Sequence, residues 1–192
     1  MALTEHSTPW DTNDPAHLQD ERVVDDYFSW MGRDGVEDLQ RAATLLQGVP
    51  LLQDILDAVP LPVSILNEKG QTILVNRLWS ESLGDEADCI LGKRHGELLG
   101  CLHAAEGSDG CCTSRHCEQC GAMVSVRTSR QNQGQSVRAF HLDRSTPHGP
   151  EGVEMLVTST PLEVEGRKFT IFVLQDADTR PLDALASAGE GE

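Results

Sequence analysis

The architecture turns on Asp57-Ala-Val-Pro-Leu-Pro-Val-Ser-Ile-Leu-Asn-Glu-Lys-Gly-Gln-Thr-Ile-Leu-Val-Asn76. A short helix over residues 50–59 ends at Pro60, because the residue before a proline avoids helical backbone. Leu61 to Leu66 is apolar and β-branched, which marks a strand. Asn67-Glu-Lys-Gly70 is a turn with glycine at its end. Gln71 to Val75 alternates again and closes a hairpin.

Moving outward on the N-terminal side, Val36, Leu39, Ala43 and Leu46 share one helical face and predict a helix over Val36 to Gln47. Before it, Val23, Val24, Tyr27, Phe28 and Met31 fall at helical spacing among acidic residues, so a first helix runs from Asp20 to Met31 and ends at Gly32. Residues 1–17 are dominated by turn formers and read as a flexible arm. Residues 18–47 thus form a helical extension of two amphipathic helices.

On the C-terminal side, Arg77 to Leu83 reads as two helical turns, and residues 85–100 as mixed short helix and loop. Gly121 to Arg130 reads as a helix with Met123 and Val126 inward. Three strands follow: Ser136 to Leu142, Val153 to Leu162 and Lys168 to Leu174. Glu163-Val-Glu-Gly166 is the last hairpin tip. Residues 179–192 are an acidic flexible tail. The order predicts an α+β domain with an antiparallel sheet.

Between the two halves lies Gly100-Cys-Leu-His-Ala-Ala-Glu-Gly-Ser-Asp-Gly-Cys-Cys-Thr-Ser-Arg-His-Cys-Glu-Gln-Cys-Gly121, which holds five of the six cysteines. Cys117 and Cys120 form a CxxC, a spacing that brings two sulfurs to one ion. Clustered thiols serve metal binding, redox exchange or a disulfide. The segment is too polar for plain core packing. Four thiolates satisfy either zinc or an iron–sulfur cluster. The single CxxC does not match a zinc ribbon, which carries two. His103 and His116 are alternative ligands, since mixed sites are common. Cys89 follows Asp85, Glu86 and Asp88 and reads as a bystander.

Totals bound the function. The chain has 192 residues and a net charge of −16, which argues against nucleic acid and anionic membranes as partners. No run approaches the roughly 18 apolar residues of a membrane span. The N-terminus lacks a signal peptide, which predicts a cytoplasmic location and reduced thiols. There is no Ser/His/Asp order, no GxGxxG and no P-loop lysine, so the chain is not expected to be an enzyme. A thiol–disulfide activity needs a low-pKa thiol, and Glu118 inside the CxxC works against one.

The 57–76 stretch, ending in Val75-Asn76 before a helix, resembles a PAS domain, with the similarity covering roughly residues 48–178. The resemblance implies a five-stranded antiparallel sheet with short helices on one face and a sensory or dimerising role. The cysteine segment looks like that of bacterial sensor-kinase PAS domains carrying Gly-Cys…Gly-Cys-Gly…Cys-x-x-Cys-Gly. Carried over, the match implies Cys101, Cys111, Cys117 and Cys120 as metal ligands. Cys112 stands where that pattern has glycine, which leaves the choice between Cys111 and Cys112 open. A kinase module is not expected after the domain, so the chain is not expected to phosphorylate anything by itself. The implied function is a stand-alone sensory module in which an iron–sulfur cluster reports redox or oxygen state. Its implied partners are a histidine kinase or regulator and a second copy, as a homodimer. The alternatives are a zinc-stapled interaction adaptor and a thiol–disulfide switch.

Overall fold

The computed structural model describes residues 32–83 and 89–177. The expected arm, the Asp20–Met31 helix and the tail lie outside them. Helix α1 spans Val36–Gln47, as its periodicity predicts, and buries Leu39, Ala42 and Leu46. Helix α2 spans Leu52–Ala58. Strands β1 (Val63–Leu66) and β2 (Thr72–Val75) form the hairpin. Its turn is built by Asn67, whose Oδ1 accepts from the backbone N–H groups of Lys69 at 3.0 Å and Gln71 at 2.8 Å. Gly70 takes the left-handed backbone (φ +70°) that this turn requires.

Helix α3 (Arg77–Leu83) follows, then the single turn α4 (His95–Leu98), two 3₁₀ turns at Leu102–Ala105 and Arg115–Glu118, and α5 (Gly121–Asn132). Met123 and Val126 of α5 are buried, as expected. Strands β3 (Ser136–Thr146), β4 (Gly149–Val164) and β5 (Arg167–Asp176) complete a five-stranded sheet of order β2-β1-β5-β4-β3, antiparallel throughout.

Both faces of the sheet carry cover. On one face, α1 and α2 close over Val63, Ile65, Ile73 and Phe169. On the other, α5, α4 and the cysteine segment close over Leu66, Phe140, Val157, Phe172 and Leu174. Period-2 alternation assigns neighbours in β1 and β5 to opposite faces, which is why all four residues of β1 are buried. The short helices of the expected single layer lie on this second face, and the α1–α2 pair adds a layer on the first.

The β3–β4 hairpin is longer than its sequence suggested. The strands were expected to end at Leu142 and resume at Val153. Instead pairing continues to Thr146↔Gly149, leaving only Pro147 and His148 in the turn. Thr146 Oγ1 donates to the Gly149 carbonyl at 2.7 Å and accepts from His148 N–H at 3.2 Å. Arg144 and Glu151 pair across the strands at 2.8 Å. This extension has a consequence for the cysteines, because Ser145 N–H donates to the Gly100 carbonyl at 3.0 Å and Cys101 bridges to Arg144.

Candidate functional site

The cysteine segment is moored at both ends and in the middle. Its start is fixed to β3 by the Gly100–Ser145 bond and to α4 by Cys101 N–H donating to the Gly96 carbonyl at 2.7 Å. Its middle is held by Arg94, whose side chain has no solvent exposure. The guanidinium donates to the carbonyls of Cys111 at 2.8 Å, Asp109 at 3.1 Å, Lys69 at 3.0 Å and Gly32 at 2.7 Å. Glu97 works beside it. Its Oε2 accepts from Arg94 N–H at 3.0 Å and its Oε1 from Cys111 N–H at 3.2 Å, while Arg33 pairs with the same carboxylate. The end of the segment runs into α5, with Cys120 as the N-cap residue.

Two glycines let the backbone approach. A Cβ on Gly96 would lie 2.7 Å from Cys111 Sγ and 3.2 Å from Cys101 Cβ. A Cβ on Gly121 would lie 2.2 Å from the Ala139 carbonyl oxygen and 2.7 Å from Phe140 Cβ. Neither position has room for a side chain, and each sets a sulfur-bearing turn against its support.

These constraints gather Cys101, Cys111, Cys112, Cys117 and Cys120 on the wall of one cavity of about 430 Å³, which Phe140 and Phe172 also line. Cys89 is exposed and takes no part in it. Four of the sulfurs face backbone amides. Cys101 faces those of His103 and Ala104, Cys111 that of Gly96, Cys117 that of Ser114, and Cys120 those of Ala122 and Met123 at the start of α5. These four are the set implied by the motif. An amide aimed at sulfur favours the thiolate, as does a helix N-terminus.

Against that pull, all four thiols titrate above the usual cysteine range. Burial pushes Cys101 and Cys120 up. For Cys111 the hydrogen bond with Cys112 leads, and for Cys117 the hydrogen bond with Cys111 leads and burial follows. Thiols crowded around one cavity resist ionising together, and a bound cation removes that resistance.

Cys112 differs from the other four. Its backbone is left-handed (φ +73°), the conformation glycine adopts freely and the one expected of the glycine that the motif has there. Its Sγ sits 3.7 Å from Cys111 Sγ. Among the described residues, no three cysteine sulfurs lie within 4.8 Å of one another. A single tetrahedral zinc, with Zn–S about 2.3 Å, needs sulfurs about 3.8 Å apart. Four thiols around one cavity are the donor set of zinc or of an iron–sulfur cluster.

The two histidines expected as alternative ligands stand together on the wall of the same cavity. Their rings stack at 4.1 Å, and no cysteine sulfur joins them within 4.8 Å. Sequence reasoning missed His95. It is buried under the cavity, 2.8 Å from Ser64 Oγ through Nε2, and stacked on Phe172 at 3.8 Å. Burial pushes its pKa down to about 3, so it stays neutral. Among the described residues no helix is long and apolar enough to cross a membrane.

No protein-family model matches the sequence, and no curated protein matches it. Solved structures similar to the chain include the PAS domain of an HTR-like protein from Haloarcula marismortui. It is 15% identical, with 71% of this chain and 98% of that one covered and a TM-score of 0.42. The PAS domain of Bordetella pertussis BvgS is 16% identical over 72% of this chain and 91% of that one, with a TM-score of 0.41. A Rhodobacter sphaeroides LOV protein is 11% identical over 80% and 75%, with a TM-score of 0.45.

Proposed function

We propose that this PAS-like domain is a sensory or regulatory module whose ligand is a metal centre held by Cys101, Cys111, Cys117 and Cys120, an iron–sulfur cluster in preference to zinc. One observation carries the reading: these four sulfurs, from separate turns, each face backbone amides around one cavity. The single CxxC and the room of the cavity support the cluster over a closed zinc site. A bound cluster supplies a response to redox or oxygen state.

The chain's own residues supply the rest. Gly96 and Gly121 admit the sulfur-bearing turns. Arg94 carries the position of the Cys111 carbonyl to Gly32, at the entry to α1. A shift of the cysteine turn therefore moves the segment through which a partner, a histidine kinase, a regulator or a second copy, would be contacted. The role is binding and relay, not catalysis. The raised thiol pKa values work against thiol–disulfide exchange, which needs a free thiolate, whereas a bound ion would itself hold the sulfurs as thiolates.

The test is anaerobic purification of the full chain, followed by iron, sulfide and zinc analysis and an absorption spectrum. Iron with matching sulfide and a broad visible band, lost in Cys101→Ser and Cys117→Ser, is the expected result. One zinc per chain without colour would replace the sensor with a stapled adaptor. Metal-free protein whose thiols oxidise reversibly would replace both with a disulfide switch.

A further inference from the structure

We propose that His103, Glu106 and His116 form a second metal site, for an exchangeable divalent cation of the zinc class, separate from the cysteine centre. The three offer ligand atoms that all lie within 4.8 Å of one another, the one such group among the described residues. A single carboxylate serves both imidazoles. Glu106 Oε1 lies 3.3 Å from His103 Nδ1, and Oε2 lies 3.4 Å from His116 Nε2. The rings are held nearly parallel, 4.1 Å apart at 17°. Imidazole and carboxylate are the donor set of zinc-class ions.

The far side of His103 is prepared as well. Its Nε2 lies 3.7 Å from Asp143 Oδ2, and Asp143 Oδ1 is fixed by His141 Nε2 at 3.1 Å. A ligating histidine commonly gives its other ring nitrogen to a carboxylate, which sets tautomer and orientation. His103 would thus ligate through Nδ1, with Asp143 as its outer partner. His116 would ligate through Nε2. Arg115 Nε donates to that nitrogen at 3.4 Å, and its exposed side chain is free to swing away when an ion takes the place. Three protein ligands leave a coordination position open. The site joins the two 3₁₀ turns that carry Cys101 and Cys117. His103 and His116 line the rim of the cavity that the cysteines also line, so an ion here would clamp the two turns together whatever the sulfurs hold.

The probe is Zn²⁺ itself, titrated by calorimetry into the full chain carrying whatever metal it was purified with. One added Zn²⁺ per chain is expected, with zinc absorption fine structure showing nitrogen and oxygen ligands at about 2.0–2.1 Å and no sulfur at about 2.3 Å. His103→Ala and His116→Ala each abolish this binding, and Asp143→Asn weakens it about tenfold or more. His148→Ala, at an exposed histidine in the β3–β4 turn, leaves it unchanged. Circular dichroism confirms that each variant is folded. Zinc bound through sulfur alone, binding indifferent to both histidines, or no uptake would overturn the proposal. The cysteine centre is tested separately by iron, sulfide and zinc content measured before the titration, so added zinc that finds sulfur reports vacant thiols and is told apart from loss of the histidine site.

Discussion

The guanidinium of Arg94 donates to the Cys111 carbonyl at 2.8 Å. The contact ties a candidate ligand to a buried cation that also holds Gly32, Lys69 and Asp109 through their carbonyls. The β1–β2 turn, the cysteine turn and the entry to α1 therefore meet at one side chain. Arg94→Met would leave buried carbonyls without donors. It should destabilise the fold by about 3 kcal/mol, read as a lower urea midpoint at unchanged slope. Arg94→Lys should recover less than half of the loss, since an ammonium cannot fork across several carbonyls. Full recovery by lysine would mean that only charge matters.

Cys112 gives a direct decision on ligand identity. Its left-handed backbone costs a side-chain-bearing residue about 1 kcal/mol, which glycine does not incur. Cys112→Gly should keep its metal and gain up to about 1 kcal/mol in stability. Cys111→Ser should lose the metal. Metal retained by the serine variant and lost by the glycine variant would exchange the two roles.

The parts of this fold that were legible in the sequence are those made by near neighbours. Asn67 and Gly70 announce a turn that Asn67 closes within four residues. The periodicity of α1 was legible, although Val36, expected on its apolar face, is exposed and Ala42 is buried in place of Ala43. The cysteine cluster was visible because a ligand type repeats along the chain, while the choice of four among its five sulfurs came from the resemblance. What stayed hidden depends on distant partners. Ser64 and Phe172 make His95 a buried neutral residue, and nothing near position 95 signals either of them. Arg94 reaches back 62 residues to Gly32. Asn76 was legible as the end of a strand, but not as the residue whose side chain bonds Val63 N–H, Trp79 N–H and the carbonyls of Leu56, Val59 and Leu61.

His95 makes stability depend on acid in a stated direction. In the unfolded chain it binds a proton near pH 6.5, while burial holds the folded value at about 3. Between those values the unfolded state holds one more proton, so stability falls as pH falls through 6.5 and continues to fall towards 3. From pH 7 to 5 this one group should remove about 2 kcal/mol. His95→Gln has no such proton to gain. Its urea-derived stability should therefore fall by about 2 kcal/mol less than the parent's over the same interval. Parallel losses in the two proteins would mean that His95 ionises freely in the folded state.

Gly96 tests whether the sulfur cradle, and not the fold alone, determines metal occupancy. An alanine methyl there would stand 2.7 Å from Cys111 Sγ and 3.1 Å from Cys111 Cβ, inside any real contact distance. The short α4 turn would have to shift, and Cys111 with it, because the Gly96 amide faces that sulfur. Gly96→Ala should lower metal per chain several-fold at a stability cost of about 1–3 kcal/mol, the range for overpacking a tight site. Gly134→Ala is the matched control, since the nearest atom to its added carbon is the Asn132 carbonyl oxygen at 3.7 Å. That variant should keep full occupancy and unchanged stability. Equal occupancy in the two variants would show that the approach of α4 to Cys111 is incidental to the centre.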